Sequence, residues 1–273
     1  MHKNIDEVEF SIFDTETTGL KPHLGDRIVE IAAVRLKGKK RLATFRSLVD
    51  PGRGISESAF LVNRITSQML SGAPSTEEVI PRFLDFIKGS YLCSYNAGFD
   101  LEFLNQELRL MGWQPLKNIL VVDILKMARR LMPGLERYAL WFVAERLGIK
   151  NEQKHRALAD VMLTVEVFER LKEILQTKGI IDFNNFFHLF GLNADFLNDI
   201  NYQKISQIQE ALNLGVRLKI RYLSHSSAQV TEREVLPEEI RHEGDHSYLL
   251  GHCYLRNEKR SFRIDSILDM EMV

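Results

Sequence analysis

The apolar run Val8-Glu9-Phe10-Ser11-Ile12-Phe13 reads as a strand, and two more strands are expected near 28–36 and 41–49, joined by the basic turn Lys37-Gly38-Lys39-Lys40-Arg41. Three such segments in succession predict an antiparallel meander. The period then changes. Between Glu77 and Ile87, the residues Val79, Ile80, Phe83, Leu84 and Ile87 share one helical face, with Ser75 or Thr76 as the cap. A short apolar strand, Tyr91 to Tyr95, leads into a helix of about ten residues carrying Phe99, Leu101, Phe103, Leu104 and Leu108. Further helices fit 124–131, 138–147 with Gly148 as the stop, and 157–175 ending at Gly179. Strands first, then alternating strands and helices, predict an α/β fold with a mixed sheet flanked by helices.

The pattern shifts again after Gly179. Phe183, Phe186, Phe187, Phe190 and Phe196 are interleaved with asparagines and aspartates, which reads as a helical connector over 179–205. From Val216 the chain alternates strand and turn, through 218–222, 234–237, 248–250 and 261–264. The expected organisation is an α/β domain over 1–178, the connector, and a small β domain over 206–273.

Composition narrows the function classes. At 273 residues with 45% hydrophobic and 27% charged positions, the chain has the balance of a soluble protein. No apolar run approaches the ~20 residues that span a bilayer. The acidic start leads straight into a strand, unlike a secretory signal, so the cytoplasm is expected. Cys93 and Cys253 lie far apart, which fits two buried thiols better than a disulfide or a thiolate metal site. The net charge of −1 conceals an asymmetry: residues 1–178 carry 26 Lys+Arg against 23 Asp+Glu, and the rest 10 against 14. The N-terminal part is therefore the better candidate for meeting nucleic acid.

Asp14 and Glu16 end the first strand, where alternation sends residues i and i+2 to one side. Bare, such a pair repels; divalent cations turn it into an oxygen cage. Asp100 falls in the first turn of a helix for which Asn96 is a candidate cap. His155 and Asp160 would sit about 140° apart on one regular helix. They can lean over the same cleft only if His155 lies on the preceding loop and Asp160 within the helix. Taken singly, each of these residues also has a structural reading. Asp14 or Thr17 would cap a turn, Asp100 and Asp160 would face helix dipoles, and His155 would pack.

In this order, Asp14-x-Glu16, Asn96-x-x-Phe99-Asp100 and His155-x-x-x-x-Asp160 resemble the DEDD exonucleases, in the histidine-bearing branch that includes the proofreading subunits of bacterial replicative DNA polymerases. Val122-Asp123 before a helix and Arg156-Ala157 after the histidine extend the resemblance over about residues 7–175. It implies a ribonuclease H-like core and two-metal 3′→5′ hydrolysis of single-stranded ends, with a polymerase or another nucleic-acid enzyme as a partner. Asp14 would bridge two Mg2+ or Mn2+ ions, Glu16 and Asp160 would complete the cage, and Asp100 would bind partly through water. His155 would take the proton from the attacking water. Thr15, Thr17, Leu20, Asn96 and Phe99 would meet the terminal nucleotide. DNA is the expected substrate. An exoribonuclease of the ribonuclease T kind and a nucleic-acid-binding regulator on an exonuclease platform are the alternatives.

The C-terminal part resembles a WYL domain, through Arg221-Tyr222, Arg233-Glu234-Val235-Leu236-Pro237, Ser247-Tyr248-Leu249 and Arg260-Ser261-Phe262-Arg263. The triplet that gives that family its name lacks its tryptophan here. The resemblance implies a small SH3-like or Sm-like barrel that binds nucleic acid or a ligand. Arg233, Arg260 and Arg263 would hold phosphates and Tyr248 would stack on a base. His242 and His246 have the spacing of a helical zinc pair, but the Gly244-Asp245 between them signals a turn.

Overall fold

A computed structural model describes residues 3–116, 119–150, 155–192 and 194–273. Strands β1 (Glu9–Thr17), β2 (Ile28–Lys37) and β3 (Lys40–Leu48) form the expected meander. There follow α1 (Glu57–Asn63), α2 (Ser67–Leu70), α3 (Thr76–Ile87), β4 (Tyr91–Ser94), α4 (Ala97–Leu110), β5 (Val121–Asp123), α5 (Ile124–Leu131), α6 (Leu140–Arg146) and α7 (Ala157–Thr177). The sheet order is β3-β2-β1-β4-β5, with β4 parallel to both β1 and β5. This is the mixed α/β sheet of a ribonuclease H-like core.

Strand β1 is central, and helices cover both of its faces, which is why Phe10 and Ile12 on one side and Ser11 and Phe13 on the other are all buried. Phe10 and Ile12 enter one buried cluster with Val161, Val165 and Phe168 of α7. Phe13, pointing the other way, enters a second cluster with Phe83 of α3 and Phe103 of α4. The even-numbered side therefore faces α7, and it carries Asp14 and Glu16 toward that helix. Ser75 caps α3, its backbone N–H donating to the Glu78 carboxylate at 2.8 Å.

After α7 come α8 (Phe183–Phe190), α9 (Ala194–Leu214), β6 (Leu218–Leu223), β7 (Val230–Glu243), β8 (His246–Cys253), β9 (Glu258–Arg263) and β10 (Ile267–Met272). The last five pair antiparallel in the order β10-β6-β7-β8-β9. No pairing joins β9 to β10 among the described residues, so the expected barrel is seen as an open antiparallel sheet. A 3-10 turn at Ile264–Ser266 separates these two strands.

The expected connector does not behave as a spacer. Phe183, Phe186, Phe187 and Phe190 are buried in the cluster that holds Phe10 and Phe168, and α9 runs through the expected boundary at 205/206. The Phe186 ring lies 5.8 Å from Phe10 and 6.2 Å from Phe168. The side chain of Phe196 lies outside the described residues. Both cysteines are free and buried. His242 and His246 flank a hairpin turn, with His242 Nδ1 2.8 Å from Ser247 Oγ. No helix among the described residues is long and apolar enough to cross a membrane.

Candidate active site

Asp14, Glu16 and Asp160 each bring one carboxylate oxygen within 4.8 Å of the other two. The first two come from alternate positions of β1 and the third from the first turn of α7. Their charges are not compensated. Burial holds Asp14 well above the usual carboxylate range, and Asp100, Glu16 and Asp160 add to the shift. Glu16 is pushed up to about 8, first by burial and then by Asp160 and Glu30. Burial also raises Asp160, although His155 opposes the shift. Three crowded oxygen donors that resist ionisation together match a hard divalent cation, whose charge relieves the repulsion.

Asp100 is not part of this trio, although its charge presses on Asp14 more than that of Glu16 or Asp160. Its Oδ1 accepts the Thr15 backbone N–H at 2.9 Å and the Thr15 hydroxyl at 2.7 Å, and its Oδ2 accepts the Ser94 hydroxyl at 2.5 Å. Burial still lifts it to about 6 against those bonds. Both Thr15 donors are thus directed at Asp100. Thr15 is odd-numbered, so it points to the α4 side of the sheet where Asp100 sits.

His155 lies on the loop before α7, and Asp160 lies inside the helix. The backbone of His155 is left-handed, with φ +42°, a conformation costing on the order of 1–3 kcal/mol for a residue with a side chain. Its neighbours hold it there. Arg156 donates from Nε and Nη2 to the two oxygens of Glu30 at 2.9 and 3.0 Å, and the Ala157 N–H reaches Glu30 Oε2 at 3.3 Å. Arg46 adds a bond to Glu30 Oε1 at 2.9 Å. Burial alone would raise Glu30, but these guanidinium bonds outweigh it and leave its pKa lowered.

Glu30 was not singled out from the sequence. The available signal was one acid within the apolar run 28–34, and that acid is fully buried.

The turn after β1 carries the remaining β1-end residues. Gly19 lies close against the Asp26 carboxylate, since a Cβ would fall 2.3 Å from Asp26 Oδ2 and displace it. The Asp26 carboxylate accepts from Thr18 Oγ1 and the Lys21 N–H, which fixes the turn. Thr17 donates its hydroxyl to Gly19 O at 2.6 Å, and Leu20 projects with 78% of its surface exposed. Phe99 packs on Phe103 with ring centroids 4.9 Å apart. Asn96 occupies the N-cap position of α4 with φ +70° but does not cap through its side chain; its N–H donates to Asp123 Oδ1 at 3.2 Å.

In the C-terminal sheet, Arg233 and Arg260 line one cavity while Arg263 lines another. Arg263 is paired with Asp265 and Arg260 with Glu258. Tyr248 lines neither cavity; it is half-buried on β8 opposite Arg263.

Residues 11–168, more than half of the sequence, match the exonuclease family of the RNase T type. The chain belongs to that family. Residues 203–272 match the WYL domain. The exonuclease part is 43% identical over 165 residues to DNA polymerase III subunit epsilon of Treponema pallidum, covering 60% of this chain and 76% of that protein. It is 39% identical over 174 residues to the PolC-type DNA polymerase III of Caldanaerobacter subterraneus, covering 64% of this chain but 12% of the much longer relative. E. coli Exonuclease I, solved in complex with a dT13 oligonucleotide, shares the fold, with a TM-score of 0.57 at 16% identity over 89% of this chain and 55% of that one.

Proposed function

We propose that the chain is a metal-dependent 3′→5′ exonuclease acting on the 3′ end of single-stranded nucleic acid, DNA before RNA. The observation that carries this reading is the convergence of Asp14, Glu16 and Asp160 within 4.8 Å, each with a raised pKa, inside an exonuclease fold. Two divalent cations fit that donor set, Mg2+ or Mn2+ by the hardness of its oxygens. When bound, they supply the positive charge that displacement at a phosphodiester needs on the phosphate and on the departing oxygen. Asp14, Glu16 and Asp160 would hold them, and Asp100, engaged by Thr15 and Ser94, would bind partly through water.

His155 accepts the proton of the attacking water, aimed by the Glu30–Arg156 pair that fixes its turn. Leu20 and Phe99 pack on the terminal base, and Thr17 and Asn96 line the same end of β1 and α4. The preference for DNA, a polymerase or other nucleic-acid enzyme as partner, and a cytoplasmic location rest on the relatives named as DNA polymerase III subunits.

The folding unit of the nuclease extends through α8 to about Gly191, because four phenylalanines of that helix fill its core. The C-terminal sheet binds nucleic acid or a regulatory ligand. Its strand order, with a 3-10 turn between the last two strands, supports the reading of an SH3-like sheet open between β9 and β10. End-labelled DNA and RNA strands of matched sequence, digested with magnesium and then with chelator, test the proposal. Stepwise shortening of the DNA from its 3′ end, abolished by chelator, is expected. Faster shortening of RNA would move the reading to an exoribonuclease, and no shortening of either strand to a binding platform.

A further inference from the structure

A cavity of about 140 Å3 lies between the nuclease unit and the C-terminal sheet, lined by Lys126, Arg129 and Arg130 of α5, Leu189 of α8, and His225, Arg263, Asp265 and Ser266. We propose that it is a phosphate-binding site built jointly by the two units, taking a phosphoryl group of a nucleotide or of a nucleic-acid strand. Four cationic side chains line it against one carboxylate. That carboxylate is already engaged, since Asp265 Oδ1 accepts from Arg263 Nε at 3.1 Å and from Ser266 Oγ at 2.7 Å.

Arg130 decides the matter. It is only 7% exposed, and its Nη2 donates to Leu223 O at 2.6 Å and to Ser266 Oγ at 2.7 Å, so α5 is tied to the C-terminal sheet. Its Nη1, equally buried, has no hydrogen-bond partner. A buried guanidinium N–H left unpaired is costly, and an anion in the cavity would satisfy it. Burial lowers Arg130 to about 10. His225 is held at about 4, first by burial and then by Arg130 and Arg263.

Size agrees, because engineered cavities of ~150 Å3 hold a guest as large as benzene, which exceeds a phosphate group. Lys126 and Arg129 lie at the rim, Lys126 with its ammonium 3.2 Å from Gly191 O, where they can meet an incoming anion before it reaches Arg130. A phosphate bound here would touch both units at once and hold them in one arrangement.

The test uses the full chain in excess chelator, so that no strand is cut, with calorimetric titration of inorganic phosphate, thymidine monophosphate and an eight-residue thymidine oligonucleotide at matched ionic strength. The variants are Lys126→Gln with Arg129→Gln, both at the rim, and separately Arg130→Gln. The double variant is expected to keep the unliganded melting temperature and to bind phosphate about tenfold or more weakly, as loss of charge-assisted contacts predicts. Monophosphate binding as tight as that of the oligonucleotide assigns the site to a free nucleotide; tighter oligonucleotide binding assigns it to a strand. Unchanged affinity of the double variant for all three probes would overturn the proposal, as would the absence of binding by any of them to the unmodified chain. Arg130→Gln serves only as a further comparison, since it also removes the tie to Leu223 and Ser266.

Discussion

Glu16 and Glu30 stand directly opposite each other in β1 and β2, and their surroundings drive them in opposite directions. Glu30 is clasped by Arg156 and Arg46 and stays ionised, whereas Glu16, crowded by acids, is pushed up to about 8. One face of a single strand pair thus holds both a satisfied structural acid and an acid whose charge awaits a partner. The structural acid positions the histidine loop, and the other belongs to the proposed cation site.

Stability should depend on pH in a direction set by that second acid. Between its ordinary value of 4.5 and about 8, folded Glu16 keeps a proton that the unfolded chain has released. Its contribution is complete below the lower value and is lost as pH rises through the upper one. Asp14 and Asp160 act in the same sense. Melting temperatures in chelator, taken at about pH 5, 7 and 8.5, should fall with pH, and magnesium or manganese should restore most at the alkaline end. Asp14→Asn should flatten the metal-free profile. A profile flat in the unmodified protein would remove the case for uncompensated carboxylates.

Asp14→Ala should abolish turnover while leaving the fold intact or slightly more stable, since one source of repulsion is gone. Circular dichroism together with a strand-digestion assay checks both halves. Near-normal rates in this variant would show that the cation site lies elsewhere.

His155→Ala should reduce turnover by about 10²–10⁴, the usual worth of a positioned general base, while metal binding persists. Calorimetric titration with manganese separates the two effects. Loss of metal binding would make His155 a ligand or a scaffold residue.

Glu30→Gln keeps the side chain's shape but removes the charge that Arg156 grips. Turnover should fall by about 10–100-fold, as for other residues that orient a reacting group, with little change in KM. A larger rise in KM than fall in kcat would place Glu30 in substrate binding instead.

Truncation should be sensitive to its end point. Ending the chain at Gly179 removes Phe183, Phe186, Phe187 and Phe190 from the nuclease core, and a single Phe186→Ala change should already cost about 3–5 kcal/mol. Ending it after Gly191 keeps them. Urea unfolding of the two fragments should find the shorter one unfolded or aggregated and the longer one cooperative. Equal stability would mean that the phenylalanines add little to the core.

The residues proposed for catalysis were legible because their chemistry forces unusual spacing. Alternation in β1 placed Asp14 and Glu16 on one side, and the mismatch between a five-residue step and the helical period placed His155 outside the helix that holds Asp160. Supporting contacts were not legible, since they join distant positions. Nothing near Thr15 announces that Asp100 will claim both of its donors, and Glu30 in an apolar strand reads as an outward-facing residue until Arg156 arrives from a segment 126 residues later. Helices α1 and α2 are too short to show a period. The phenylalanine-rich segment looked like a linker because its asparagines and aspartates mask an apolar face that the nuclease core takes up.

The packing of Phe186 against Phe10 also sets a timetable for synthesis. Phe10 leaves the ribosome well before its partner Phe186, which follows roughly 10–35 s later at ~5–20 residues per second. Until then the face of β1 that carries Asp14 and Glu16 lacks part of its apolar backing, and contacts this distant along a chain form late. The nascent nuclease unit would therefore wait for α8 before its active centre is finished, and would complete that centre only as the C-terminal sheet is being made.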